Sequence, residues 1–170
     1  SNLYLEEACA ALEGTETANV FSSGMGAITA TILQLCKSED HIISSRTVYG
    51  GTYAFLKNFT PQLKIETTFV DITSLDDINN SIKPNTKIIY CEVSSNPLLE
   101  IADLEEISKI AKKNNIKLVV DNTFTPLSVS PAKYGADVVI HSLTKFINGP
   151  SDTIAGVVCS SQEFIHSRRE

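Results

Sequence analysis

The sequence predicts an α/β domain of three layers, αβα, in which helices cover both faces of a mostly parallel sheet. Short apolar runs, typical of buried strands, alternate along the chain with segments whose apolar residues recur every three or four positions, as in amphipathic helices. This alternation favours parallel strands joined by crossover helices. With 170 residues, of which 42% are hydrophobic and 20% charged, the chain can bury one core. We therefore expect a single domain over residues 1–170.

The elements of the first half follow from apolar spacing and from residues that start or stop helices. Four helices are predicted, at 3–12, 27–35, 53–59 and 74–82, and four strands, at 18–21, 41–45, 65–71 and 87–93. Gly14 is expected to end the first helix, Pro61 the third, and Ser74 is the expected N-cap of the fourth. The strand at 87–93 is almost continuously apolar, which is typical of a parallel strand buried on both faces.

The second half continues the alternation of strands and helices. A helix is predicted at 103–114, with Asp103 as its N-cap, and a helical turn at 132–134, which Gly135 ends. Strands are predicted at 117–120, 136–141 and 154–159. No internal repeat, low-complexity segment or linker interrupts this pattern, which supports the single-domain interpretation.

The composition argues against several classes of protein and partner. The formal charge of −6 disfavours a nucleic-acid partner, because such proteins carry basic patches. Cys9, Cys36, Cys91 and Cys159 are scattered without metal-type spacing, so we expect no metal site and reduced, buried thiols, with a disulfide as the lesser alternative. No apolar run approaches the roughly 20 residues that span a bilayer. We therefore expect a soluble, cytoplasmic protein without membrane contact.

Polar residues follow five of the predicted strands, at the point where each strand ends. In an open α/β sheet, ligands bind outside the carboxyl ends of the strands. Because these ends meet at one edge, we expect the polar residues to form a single rim. They are Gly24 and Met25, Tyr49, Asn96, Asp121, and the group Ser142, Thr144 and Lys145.

Part of this rim suits a phosphate group. Residues 24–25 open a helix, where unpaired N–H groups and the positive end of the helix dipole attract anions. Ser142 and Thr144 add two hydroxyls at short spacing. The alternative is that Ser22 or Ser23 simply caps the helix and no ligand binds there.

The remaining residue types complete a match to one ligand, pyridoxal phosphate (PLP). Tyr49 can stack on a pyridine ring, Asp121 can keep the ring nitrogen protonated, and Lys145 can form a Schiff base with the aldehyde. Each residue alone has an ordinary alternative, and a solvated loop is the usual place for a lysine such as Lys145. The convergence of all of them on one sheet edge favours the cofactor site.

Five motifs together resemble one enzyme family. They are 23–28 (SGMGAI), 48–52 (VYGGT), 92–97 (EVSSNP), 120–123 (VDNT) and 141–146 (HSLTKF), in the family's order. On these motifs the whole chain is similar to the Cys/Met-metabolism family of PLP-dependent enzymes. The resemblance implies the large-domain fold of the aspartate aminotransferase group. It also implies that PLP phosphate is bound by the backbone N–H groups of Gly24 and Met25 and by the hydroxyls of Ser142 and Thr144.

The same resemblance implies roles for the residues around the pyridine ring. Lys145 becomes the Schiff-base lysine and a catalytic base, and Asp121 becomes the partner of the ring nitrogen. Tyr49 becomes the stacking ring and a catalytic acid or base at the leaving group. Asn96 is expected near the ring hydroxyl, and Glu92 is expected nearby in a supporting role.

The reaction implied by the resemblance is carbon–sulfur γ-elimination. A γ-lyase of this kind converts methionine or cystathionine, both small amino acids, to a thiol, 2-oxobutyrate and ammonia. A γ-replacement enzyme, such as O-acetylhomoserine sulfhydrylase or cystathionine γ-synthase, is the nearest alternative. A third alternative is that these 170 residues form a non-catalytic cofactor-binding module.

The chain departs from the family pattern in length and at two loops. Family members are usually near twice as long, so we expect this chain to be the central cofactor domain, without the N-terminal arm and the C-terminal domain. In the family the arm supplies a Tyr and an Arg to a neighbouring subunit's phosphate, within dimers and tetramers, so we expect a homo-oligomer. Gly51 stands where methionine γ-lyases commonly have a cysteine, and Pro150 stands where the family usually has a histidine.

Overall fold

A single seven-stranded sheet organises the chain in the computed structural model, which describes residues 2–94, 101–147 and 153–167. The strands are β1 (Thr17–Phe21), β2 (His41–Ser45), β3 (Glu66–Val70), β4 (Thr86–Glu92), β5 (Lys117–Asp121), β6 (Val138–Ser142) and β7 (Gly156–Ser160). Their order is β1-β7-β6-β5-β4-β2-β3. The neighbours from β3 to β6 are parallel, and only β7 runs antiparallel, to both β1 and β6. The predicted, mostly parallel sheet is confirmed.

The helices begin where the sequence supplies capping side chains. They are α1 (Asn2–Glu13), α2 (Gly24–Leu35), α3 (Gly50–Ala54), α4 (Leu75–Ser81), α5 (Leu104–Lys113) and α6 (Gln162–His166). Ser74 caps α4 and Asp103 caps α5, each accepting a backbone N–H two residues into the helix, so both predicted caps are confirmed. The short α6, capped by Ser161, was not predicted.

The prediction that Pro61 ends the third helix was wrong. Helical backbone runs from α3 through a wider turn at Phe55–Phe59 into a 3-10 turn at Thr60–Leu63. Pro61 lies in the first turn of that last segment, where its missing N–H would have no helical partner in any case. The chain leaves the helical conformation at Lys64, whose φ is +59°.

Helices cover both faces of the sheet, which confirms the three layers. Because successive strand residues point to opposite faces, the buried residues of each strand divide between two sides. One side packs against α2, through Ile28 and Ile32. The other packs against α5 near the centre of the sheet and against α1 over β7, through buried residues that include Ile107 and Cys9.

The four cysteines are all buried and unpaired, as expected. Burial raises the pKa of the Cys36 and Cys91 thiols to about 12, which keeps both protonated. None of the helices in the described part of the chain is long and apolar enough to cross a membrane.

Candidate cofactor site

A cavity of about 690 Å³ opens at the carboxyl edge of the parallel strands. Asn96, which was expected at this edge, lies outside the described residues, as does Pro150. Glu92 also lines the cavity. Seven of the eight residues expected to contact a cofactor or perform chemistry lie together in its wall: Gly24, Met25, Tyr49, Asp121, Ser142, Thr144 and Lys145.

The N-terminus of α2 forms one side of the cavity. Ser23 is its N-cap, and its Oγ accepts the N–H of Gly26 at 2.9 Å. The Ser23 carbonyl accepts the N–H of Ala27 at 3.1 Å, as the first regular bond of the helix. The N–H groups of Gly24 and Met25 precede that bond and have no partner within the helix. Ser23 is therefore a helix cap, and two backbone donors remain beside the cavity for an anion.

Two glycines allow the surrounding strands to approach this helix end. A Cβ on Gly24 would lie 2.8 Å from the Cβ of Ser142, and a Cβ on Gly156 would lie 2.2 Å from the carbonyl oxygen of Ser23. Neither distance is compatible with a side chain. Gly156 was not predicted as part of the site, because only the antiparallel pairing of β7 brings it there.

Asp121 is a buried acid at the end of β5. Its Oδ1 accepts the N–H of Thr123 at 3.0 Å and the Thr123 hydroxyl at 2.5 Å. Among the described residues, its Oδ2 accepts only a long bond, 3.5 Å, from the hydroxyl of Tyr90. Burial raises the pKa of the Asp121 carboxyl, and the Thr123 hydrogen bonds partly oppose that rise. Oδ2 is thus the oxygen with capacity for a further partner.

Thr123 joins the acid to the loop that carries the lysine. Its hydroxyl donates to Asp121 and accepts the backbone N–H of Ser142 at 2.9 Å. The ends of β5 and β6 are therefore linked through one side chain. Its role was not predicted, although a residue two positions after an Asp is the usual partner in an Asx turn.

Glu92 holds the segment that carries Tyr49. Its Oε1 accepts the backbone N–H of Tyr49 at 2.6 Å, so its support acts on the backbone. Burial, and then the negative charge of Asp121, raises the pKa of Glu92 to about 7, while the Tyr49 N–H opposes that rise. The Tyr49 side chain itself is 57% exposed, which leaves its ring accessible from the cavity.

Gly51 provides the space in which the Tyr49 ring lies. A Cβ at this position would be 2.7 Å from Cε1 of Tyr49 and 3.2 Å from the sulfur of Met25. Any larger residue at position 51 would require the ring or the thioether to move. The residue at position 51 therefore affects the position of the ring.

A short loop after β6 presents the remaining predicted groups. The Leu143 N–H donates to the Ala155 carbonyl at 2.8 Å, and the Ala155 N–H donates to the Thr144 hydroxyl at 3.2 Å. These bonds fix the loop against the start of β7. The Lys145 side chain is exposed and lines the cavity. The Thr144 hydroxyl also donates a long bond, 3.5 Å, to the Ala155 carbonyl.

Apolar side chains flank the polar groups. The rings of Phe124 and Phe146 lie 5.6 Å apart and are tilted by 59°, and both line the cavity together with the exposed Ile154. These residues were not predicted as part of the site. They can exclude water from a bound ring, which strengthens polar interactions inside the cavity.

The arrangement fits PLP on two observations. Asp121 is a buried carboxyl without an ion-pair partner in the described part of the chain, and a protonated ring nitrogen would supply that partner. Gly24 and Met25 offer N–H groups next to the Ser142 hydroxyl, as a phosphate requires. Among the described residues, no group of three or more His, Cys, Asp or Glu is arranged to hold a metal ion.

Comparison with known proteins identifies the family. The family described as Cys/Met metabolism PLP-dependent enzyme matches residues 1–170. The chain belongs to this family. PLP is therefore the cofactor of the family to which it belongs, as predicted.

Individual Cys/Met metabolism enzymes are similar to most of this chain. Methionine gamma-lyase from Arabidopsis thaliana is 48% identical over 165 residues, which are 96% of this chain and 37% of that protein. Cystathionine gamma-lyase from Bacillus subtilis (strain 168) is 46% identical over 160 residues, which are 94% of this chain and 42% of that protein. The chain thus spans about 40% of the length of these relatives.

A solved structure of the family has the same fold. The crystal structure of metB from Corynebacterium glutamicum matches with a TM-score of 0.93 at 39% identity, over 96% of this chain and 43% of that one. The predicted fold of a PLP-dependent enzyme is confirmed.

Proposed function

We propose that the cavity binds PLP and that the whole protein is a carbon–sulfur γ-lyase that acts on methionine or cystathionine. The observation that carries this proposal is the convergence of seven independently predicted residues on one cavity, with the Lys145 amine and the buried Asp121 carboxyl in the same wall. The names of the relatives, methionine gamma-lyase and cystathionine gamma-lyase, support the reaction class. Residues 1–170 would form one PLP-binding domain of that enzyme.

Each part of PLP has a proposed partner in the cavity. The phosphate would be held by the N–H groups of Gly24 and Met25 and by the hydroxyls of Ser142 and Thr144. The ring nitrogen would face Asp121 Oδ2, whose partner Oδ1 is already held by Thr123. Asn96 remains the proposed partner of the ring hydroxyl and lies outside the described residues.

The chain's own residues would then move the protons. PLP, when bound, supplies a ring that withdraws electrons from the α-carbon of the substrate. Lys145 Nζ would take the α-proton, and Asp121 would keep the ring-nitrogen proton in place. A proton would next leave the β-carbon, and the Tyr49 hydroxyl would give a proton to the sulfur as its bond to the γ-carbon breaks. Phe124 and Phe146 would exclude water from these transfers.

A γ-replacement enzyme is a second candidate because of Gly51. Methionine γ-lyases commonly have a cysteine at this position, and Gly51 instead leaves the Tyr49 ring next to the Met25 sulfur. An altered ring position would change which group reaches the γ-carbon. In this candidate the substituent at the γ-carbon leaves and a sulfur nucleophile takes its place, at the same PLP site.

Further proposals concern assembly. We propose that the whole protein is a homo-oligomer, as the family resemblance implies, and that a neighbouring subunit completes the phosphate site. Light scattering of the full-length protein would report the state directly, and a monomer with full activity would contradict this proposal.

Absorbance tests the cofactor proposal. Adding PLP to the chain should produce a visible band that persists through gel filtration, because Lys145 holds the cofactor covalently. Lys145→Ala should lose that band, while Lys113→Ala, at an exposed lysine in the last turn of α5, should keep it. A colourless parent chain, or equal bands in the two variants, would contradict the assignment.

Product analysis of the full-length protein tests the reaction. A γ-lyase should release 2-oxobutyrate from methionine or cystathionine without any added nucleophile. A γ-replacement enzyme should instead form a new thioether or thiol from O-acetylhomoserine and sulfide or cysteine. If residues 1–170 alone bind PLP covalently but form neither product, the interpretation of these residues as a non-catalytic cofactor-binding module is correct.

A further inference from the structure

A buried carboxylate and a buried histidine lie behind the candidate cofactor site, on the α1 side of the sheet. Glu13 is the last residue of α1, and His141 lies in β6. Each side chain is about 1 to 2% exposed, and His141 Nε2 lies 2.5 Å from Glu13 Oε1. Because alternate strand residues face opposite sides, His141 points away from the face of Ser142, which lines the cavity.

The same carboxylate oxygen reaches the end of a second strand. Glu13 Oε1 also accepts a hydrogen bond from Asn122 Nδ2 at 2.8 Å. Asn122 directly follows Asp121, and His141 directly precedes Ser142. A single carboxylate on α1 therefore connects the ends of the two strands that carry the ring-nitrogen acid and the lysine loop.

The contacts of this pair are incomplete. Glu13 Oε2 and His141 Nδ1 are buried and have no hydrogen-bond partner among the described residues. Unpaired buried polar atoms destabilise a fold, and apolar residues of similar volume often replace a buried ion pair without loss. Packing alone therefore does not explain why the ionisable residues Glu13 and His141 occupy these buried positions.

His141 is close enough to act on Asp121 electrostatically. Burial raises the pKa of the Asp121 carboxyl, the hydrogen bonds from Thr123 lower it, and positive charge on His141 lowers it further. The other ionisable groups near Asp121 come from β4, namely Tyr90, Cys91 and Glu92, and Lys145 and Tyr49 line the same cavity. The groups facing Glu13 are Cys9 and Cys159, whose raised pKa values leave them uncharged.

We propose that Glu13 and His141 are positioning residues that hold the ends of β5 and β6 together and keep Asp121 ionised toward the ring nitrogen of bound PLP. This inference rests on the proposed PLP site. The Glu13 carboxyl is in contact with the His141 ring, and positive charge on that ring favours the carboxylate of Asp121 over its acid. The proton shared by Asp121 and the ring nitrogen then stays on the nitrogen.

Glu13→Gln is the test variant, because glutamine keeps the shape and can still accept from His141 and Asn122 while the charge is removed. Two readouts are independent of turnover. The dissociation constant for PLP should rise about tenfold, the effect of one unit in a pKa. The NMR signal of PLP labelled with ¹⁵N at the ring nitrogen should move, at neutral pH, toward the value of the unprotonated ring.

Glu6→Gln is the matched control. Glu6 is a buried carboxylate on the same helix, and its Oε1 accepts the backbone N–H of Val20 at 3.0 Å. This variant should lower the melting temperature without changing the ¹⁵N signal. If Glu13→Gln does not fold, the neutral pair Glu13→Gln/His141→Gln provides the same test, because it leaves no uncompensated charge.

Each outcome decides the proposal. A weaker PLP complex with a shifted ¹⁵N signal, in either folded variant, supports it. An unchanged ¹⁵N signal overturns it. Loss of folding in both Glu13→Gln and the double variant, while Glu6→Gln folds, also overturns it, because the pair then only stabilises the fold. A parent chain that binds no PLP overturns the proposed function, whereas PLP bound normally by both parent and Glu13→Gln overturns this inference alone.

Discussion

The two ends of the sheet carry charge in different ways. At the carboxyl end, Asp121 and Glu92 are buried, and burial raises the pKa of both carboxyls. At the amino end, Asp137 is partly exposed, lies 3.9 Å from Lys117 and accepts the N–H of Leu118 at 2.8 Å. At the amino end, the charge of Asp137 is therefore balanced by Lys117 and by solvent. At the carboxyl end, the two buried acids have no ion-pair partner among the described residues, which is typical of a binding site.

The two buried histidines show the same contrast. His41, at the amino end, has both ring nitrogens 2.7 Å from hydroxyls, of Thr86 and Thr68. Burial lowers its pKa to about 4, so this ring is neutral at physiological pH. His141, near the carboxyl end, faces the Glu13 carboxylate and leaves one nitrogen without a partner among the described residues. The amino-end histidine therefore contacts two hydroxyls, whereas the carboxyl-end histidine contacts a carboxyl group.

The largest predicted effect is on PLP binding, and it distinguishes Asp121 from Asp137, the acids at the two ends of the sheet. Asp121→Asn should weaken PLP binding by about 3 to 5 kcal/mol, more than roughly 100-fold, because the ring nitrogen loses its buried partner. Asp137→Asn, at the opposite end, should leave PLP affinity unchanged. Equilibrium dialysis with PLP measures both constants. Equal losses in the two variants would place the cofactor elsewhere or remove the distinction between the two ends.

The two ends should also respond oppositely to pH. The pKa of Glu92 is raised from 4.5 to about 7, so its contribution to stability is full below pH 4.5 and is lost as the pH rises through about 7. The pKa of His41 is lowered from 6.5 to about 4, so its contribution is full above pH 6.5 and is lost as the pH falls through about 4. Each contribution is at most roughly 3 kcal/mol.

Between pH 4.5 and 6.5 these contributions oppose each other, and single variants should reveal them. In Glu92→Gln the free energy of unfolding should rise with pH across this window, because the His41 contribution is left. In His41→Gln it should fall with pH, because the Glu92 contribution is left. Urea denaturation at steps of pH measures both slopes. Identical slopes in the two variants would show that neither group sets the pH dependence.

Two glycines should respond differently to an added side chain: Gly156, which packs against the start of α2, and Gly50, the first residue of α3. Gly156→Ala should destabilise the fold by about 1 to 3 kcal/mol, because its Cβ would meet the backbone of Ser23. Gly50→Ala, where no atom lies within 4 Å, should be neutral or slightly stabilising. Urea unfolding of the two variants compares them, and an unaffected Gly156→Ala would contradict the close packing of β7 against α2.

The smallest predicted effect concerns a single hydroxyl. Thr123→Val should lower PLP affinity by roughly 1 kcal/mol, since the link between Asp121 and Ser142 is lost while the shape is kept. Thr60→Val removes a buried hydroxyl that only donates to the Leu56 carbonyl, and should affect stability without affecting PLP. Fluorescence titration with PLP distinguishes the two. A Thr123→Val chain with parent affinity would show that the link is dispensable.

Local sequence signals predicted the parts of the fold that depend on neighbouring residues. Apolar runs located the strands, and Ser74 and Asp103 marked the starts of α4 and α5. The strand ends also predicted which residues meet, because the edge of a parallel sheet collects them. The prediction that Pro61 ends the third helix was wrong because a proline in the first turn of a 3-10 segment does not stop the chain from remaining helical.

Features that depend on distant pairing were not predictable from these signals. Gly156 reaches the start of α2 only because β7 pairs antiparallel with β1, although the two strands lie far apart in sequence. The contact between Glu13 and His141 joins residues 128 positions apart. No local periodicity reports such contacts, and neither residue belongs to a pattern that marks it as buried and charged.

Chemical mapping of the attached cofactor tests the central claim most directly. The chain is incubated with PLP, the attachment is made permanent with borohydride, and the peptides are analysed by mass spectrometry. The cavity geometry predicts one labelled peptide, with the modification on Lys145. Label distributed over exposed lysines such as Lys113 and Lys133, or no label at all, would contradict a PLP site at the carboxyl edge of the sheet.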